Sequence, residues 1–132
     1  MTQRKKLIKI FERKEGRTRV YENGFVESTV YEGANIDVPY LVEGKKLLES
    51  TGLSAFYVLS NSTGAYQITP DAKKLSASAE YAKHLRAVAV VISNTAVAIV
   101  ADLYLRIDKP VTPTKIFSDQ ERAVEWLNEQ MK

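Results

Sequence analysis

Few side chains in this chain could do chemistry. There is one histidine, His84, and no cysteine. Thiol catalysis, disulfide scaffolds and thiolate metal sites are therefore excluded, and one chain cannot build a multi-histidine metal site. As a general base His84 would need a nucleophile and an orienting acid in reach, and the sequence marks neither. Its position near the end of a predicted helix suits a charge facing the negative dipole end. Asp71 reads more simply as an acid in the first turn of a helix than as a functional group. Hydroxyls offer a different chemistry. Asn61-Ser62-Thr63-Gly64 and Thr69-Pro70-Asp71 form a candidate anion or phosphorylation loop, with Ser62, Thr63 and Thr69 as acceptors, because a phosphate near a helix N-terminus is electrostatically welcome. Thr69 already has a role there as the helix cap. Gly64 opens no phosphate-binding loop: no second glycine or lysine stands at Walker spacing, and no Gly-x-Gly-x-x-Gly occurs. No constellation supports an enzyme, and neither a metal nor a cofactor is expected.

Stepping from these residues to the elements that would carry them, the first third reads as strands. Leu7–Phe11 is apolar around a lysine, Glu15-Gly16 offers a turn, and Thr18–Tyr21 and Phe25–Tyr31 flank Asn23-Gly24. An Asn-Gly pair between strand-like runs is a strong hairpin signal, because both residues tolerate positive φ. Beyond Gly33, Asp37 can cap a helix with Pro39 in its first turn and Gly52 as its stop. Ala55–Leu59 is a short apolar run suited to a strand covered on both faces, and 60–69 reads as loop. Thr69-Pro70-Asp71 starts a second helix, with Ala72, Leu75, Ala79 and Ala82 on one face. Ala87–Ile92 is a second buried strand.

Residues 94–107 favour a helix that is apolar nearly all round. Val97, Ile99, Val100, Leu103 and Tyr104 would then form either a dimer seam or the wall of a ligand groove. Asp102 interrupts this stretch and needs a partner if buried. Pro110 and Pro113 exclude a helix interior. Lys115–Phe117 is a short strand, and Ser118-Asp119-Gln120-Glu121 fits a capping box opening a last helix with Ala123, Trp126, Leu127 and Met131 on its inner side. The expected architecture is a single α/β domain spanning 1–132, with one mixed sheet, an N-terminal β-meander and packed helices.

Charge is uneven. Residues 1–19 hold eight basic and two acidic side chains, a balance of +6, while the remainder holds eleven basic and fourteen acidic, a balance of −3. Leu7, Ile8, Ile10 and Phe11 interleave with the lysines, which suits an edge strand protected against pairing. No nucleic-acid-reading motif accompanies the charge, so nucleic acid is not an expected partner. The most apolar stretch, 87–105, is broken by Ser93, Asn94, Thr95 and Asp102, so no membrane span is expected and a cytoplasmic location is the default.

The C-terminal half carries a resemblance. Arg86-Ala-Val-Ala-Val-Val-Ile-Ser93, then Leu103-Tyr-Leu-Arg-Ile-Asp-Lys-Pro110, Pro113-Thr-Lys-Ile-Phe117 and Ala123-Val-Glu-Trp-Leu127 together resemble the small bacterial STAS/SpoIIAA-like proteins of unknown function. The match spans roughly 85–128. It implies an anti-sigma-factor-antagonist type of sandwich, often dimeric, and no established activity. In the wider STAS fold a serine or threonine in an Asp-Ser-Ser-Gly-like element is phosphorylated, and Asn61-Ser62-Thr63-Gly64 lacks that aspartate. The expected function is a non-enzymatic binding or regulatory module acting through protein contacts, with a second copy of itself or a regulatory protein as partner. The alternative is a carrier for a small apolar ligand or lipid.

Overall fold

The computed structural model describes residues 5–92, 106 and 109–132. Strands β1 (Leu7–Glu12), β2 (Gly16–Tyr21) and β3 (Phe25–Val30) form an antiparallel meander. The remaining strands of the main sheet, β5 (Phe56–Ser62), β7 (Leu85–Val91) and β8 (Thr114–Phe117), run parallel to β3, giving the order β1-β2-β3-β5-β7-β8. Two short strands, β4 (Asn35–Ile36) and β6 (Gln67–Ile68), pair separately. The helices are α1 (Val38–Glu49), α2 (Pro70–Ala77) and α3 (Gln120–Gln130), with a 3-10 turn at Tyr81–His84. This is the expected mixed α/β sheet with its N-terminal meander.

Local chemistry explains most boundaries. Gly24 takes φ +89° in the β2–β3 turn, and a Cβ there would stand 2.3 Å from the Ala55 carbonyl oxygen. Only glycine supplies both that conformation and that approach. The Asn23 side chain accepts from the Phe25 amide. Asp37 caps α1 and Thr69 caps α2, each followed by a proline in the first turn.

Three expected boundaries are corrected. The second helix does not continue through Ala79 and Ala82: the Ser78 hydroxyl donates to Leu75 O and accepts from the Tyr81 amide, ending α2 and opening the 3-10 turn. His84 therefore lies at the end of that turn, not of α2. The cap of α3 is Asp119, whose carboxylate accepts from the Glu121 amide, rather than Ser118. Residues 60–62 belong to β5, in register with Ser28, Thr29 and Val30, so the expected loop is shorter and contains β6. Backbone pairing with β3 holds these polar residues in a strand that their side chains do not announce.

Among the described residues, the two faces of the sheet are packed unequally. Against one face lies α3, and Leu59, Ala87, Ala89, Ala123 and Leu127 there are all fully buried together with Phe25. The opposite face carries a smaller core of Val20, Val26 and Phe56, against which Leu48, Leu53 and Val58 are only partly buried. No residue of α1 is buried.

Candidate binding cleft

The loosely covered face is the floor of a cleft of about 1380 Å³. Its floor follows from strand register. Because side chains alternate across a strand, residues paired side by side form rows on one face. One row is apolar: Val26, Val58 and Val88. The next sets Thr18, Ser28 and Ser60 beside one another, followed by Val90 and Ile116. The floor is thus aliphatic with a line of three hydroxyls across it. Half-buried Leu41, Leu47 and Leu48 of α1 form one wall. The cleft reaches the carboxyl ends of β3 and β5, where Val30, Ser62 and the β4–β6 pair border it, the end at which open parallel sheets characteristically bind ligands.

Among the described residues, three buried side-chain atoms lack a hydrogen-bond partner: Arg13 Nε, Asn61 Oδ1 and Thr112 Oγ1. All three residues line this cleft. Thr112 is 5% exposed, and Asn61 uses its amide nitrogen on Gln120 Oε1 at 3.3 Å while its oxygen stays unpaired. Buried polar atoms in native proteins are normally satisfied by protein, water or ligand.

At the end near α1, the Arg13 guanidinium lies 3.7 Å from the centroid of the Tyr40 ring and donates through Nη1 to Tyr40 O at 2.9 Å. Burial raises the Tyr40 phenol above its ordinary value, opposed by Arg13 and reinforced by Glu15. Tyr66 is raised by burial and then by Tyr40. Burial thus favours the protonated form of both phenols. Among the described residues lining the cleft, Arg13 and Lys73 are charged and no carboxylate appears.

The residues singled out from the sequence are scattered. Ser62 is exposed at the end of β5, Thr63 Oγ1 accepts from the Glu32 amide at 2.8 Å, and Thr69 is engaged as a cap. All three border the cleft. Val97, Ile99, Val100, Leu103 and Tyr104, like Asp102, lie outside the described residues. His84 sits with Nδ1 3.2 Å from Ser54 O and Nε2 3.6 Å from Glu49 Oε2, and Asp71 is exposed; neither lines the cleft among the described residues. Arg13 and Thr112 were not marked by any motif, and Asn61 was marked only as the first residue of the Asn61-Ser62-Thr63-Gly64 element. The alternation of hydroxyls with valines in β3 and β5 was the one available signal.

The profile of a family described as a domain of unknown function (DUF7793) matches residues 21–131. The chain belongs to this family. No curated protein matches it. Among solved structures it is similar to an uncharacterized protein of the DUF3478 family with a SpoIIAA-like fold from Shewanella loihica PV-4, with a TM-score of 0.54 and 16% identity over 91% of each chain. That likeness carries the SpoIIAA-like fold, as the C-terminal resemblance implied. The family match starts at the hairpin following β2 and so includes the cleft floor contributed by β3, β5 and β7. Among the described residues no helix is long and apolar enough to cross a membrane, and no cluster of three or more His, Cys, Asp or Glu could hold a metal ion.

Proposed function

We propose that this chain is a single-domain, non-enzymatic binding module whose cleft holds a small molecule with an apolar body and polar attachment points. The observation that carries the reading is that, among the described residues, every buried side-chain atom without a partner, on Arg13, Asn61 and Thr112, borders one cleft. Their partners are then a ligand or ordered water. The aliphatic rows of the floor suit the ligand's body, and the Thr18, Ser28 and Ser60 hydroxyls suit its polar groups. A contact module, with a second copy or a regulatory protein docking across Val97 to Tyr104, is the competing reading. It rests on residues outside the described ones, whereas the cleft rests on residues in view.

Native mass spectrometry of the purified protein, repeated under denaturing conditions, separates the two. The carrier reading expects a reproducible small adduct released on denaturation, and its loss in Leu41→Glu, which places a charge on a half-buried wall position without touching a buried side chain. A clean dimer without added mass, and no thermal shift on adding amphiphiles, would overturn it in favour of the contact module.

A further inference from the structure

We infer that the Arg13–Tyr40–Tyr66 end of the cleft is an oxyanion site, so that the ligand is an anionic amphiphile whose carboxylate or phosphate head lies against Arg13 and whose chain runs along the valine floor. The inference rests on the cleft being a ligand site and specifies which ligand it takes.

Arg13 is held in place before any ligand arrives. Its Cζ lies over the Tyr40 ring, one nitrogen is fixed on the Tyr40 carbonyl, and Gly44 of α1 leaves room for the guanidinium: a Cβ there would stand 2.9 Å from Nη2. A fork fixed in this way loses little conformational freedom on binding an oxyanion. No acid among the described residues neutralises it by direct contact. Among the described residues it meets the carbonyl and the side chain of Tyr40, and its Nε has no partner. The other two arginines of the meander are committed elsewhere, Arg17 to Glu12 at 2.7 Å and Arg19 to Glu27 at 3.3 Å. Both stand on the other side of β2, since Arg17 and Arg19 alternate with the cleft-lining Thr18. Tyr40 and Tyr66 line the same cleft, and burial favours their protonated phenols. The cleft lining, free of carboxylates among the described residues and carrying Arg13 and Lys73, repels no anion. Glu15 is felt by Tyr40 but does not line the cleft.

The test uses the full chain, delipidated, and measures binding of dodecanoate, dodecyl phosphate, dodecan-1-ol and inorganic phosphate by calorimetry. Both dodecyl anions should bind at least about tenfold more tightly than the alcohol, the worth of a hydrogen bond to a charged group, and inorganic phosphate alone should bind weakly. Arg13→Met should abolish that preference. Arg13→Lys should keep part of it, and Arg17→Met, which removes one positive charge from the far side of β2, should keep all of it. Equal binding of alcohol and anions to the wild type would overturn the oxyanion site and leave the carrier reading standing. Binding of none of the dodecyl compounds would overturn both. Loss of preference in Arg17→Met equal to that in Arg13→Met would reduce the effect to net charge and refute the site. Should Arg13→Met fail to fold, the wild-type ranking and Arg13→Lys decide.

Discussion

The hydroxyl of Thr69 donates to Oδ1 of Asp37 at 2.9 Å while accepting from the Ala72 amide at 3.1 Å. Asp37 Oδ1 in turn accepts from the Val38 amide at 2.8 Å. The caps of α1 and α2 are therefore one hydrogen-bonded unit. It ties the two helix starts together at the end of the molecule where β4 and β6 pair. A residue that could be read as a phosphoacceptor has both of its hydrogen-bonding roles occupied.

Replacing Thr69 tests that unit. Thr69→Ala should cost about 1–2 kcal/mol, the usual worth of a cap. Thr69→Glu should cost more, because a second carboxylate would face Asp37 without the shared proton. Urea denaturation of the two variants measures the difference. A glutamate variant as stable as wild type would show that the two caps are energetically independent.

The unequal faces of the sheet make a second prediction. Leu127→Ala removes a fully buried side chain of α3 and should cost roughly 2–5 kcal/mol. Leu48→Ala removes a half-buried wall of the cleft and should cost well under half as much, since less apolar surface leaves its surroundings. Equal costs would mean that α1 packs on the sheet as tightly as α3.

Two glycines separate conformation from contact. Gly33 has φ +82° with open space where a Cβ would go, so Gly33→Ala should cost about 1–2 kcal/mol, the left-handed penalty. Gly24→Ala adds a clash with the Ala55 carbonyl to a similar φ and should cost clearly more. Chevron or equilibrium denaturation of both variants gives the comparison, and a Gly24 variant no worse than its counterpart would refute the close approach.

The open face of the meander sets a pH dependence. Glu12 accepts from the Tyr31 hydroxyl and from Arg17 Nε, and these hydrogen bonds hold its carboxyl below the ordinary 4.5. A folded pKa lowered in this way stabilises the protein above about pH 4.5, and that contribution fades as the pH falls below it. Glu12→Gln should flatten the acid limb of a stability–pH curve in that range and leave the neutral region little changed. The group is solvent-exposed, so the effect should shrink in high salt. An unchanged acid limb would show that Glu12 does not report the fold.

Much of the fold is written locally. Asn23-Gly24, Asp37 with Pro39, and Thr69 with Pro70 each act through sterics and hydrogen bonds within a few residues, so the hairpin and the first two helix starts were readable in the chain. The apolar runs Ala55–Leu59 and Ala87–Ile92 marked the central strands for the same reason, since burial on both faces selects the same residue types along the whole run. Other features turned on competition that residue types do not resolve. Asp119 rather than Ser118 reaches the free amide of α3, Ser78 ends α2 with its own hydroxyl, and Ser60-Asn61-Ser62 is a strand only because β3 pairs with it. The cleft was decided by tertiary structure alone. Arg13 meets the carbonyl of Tyr40 across 27 positions, and Thr18, Ser28 and Ser60 become neighbours only through the register of three strands. Local sterics set what each segment does, but a site is a meeting of segments, fixed by strand register and by which face of the sheet each helix covers.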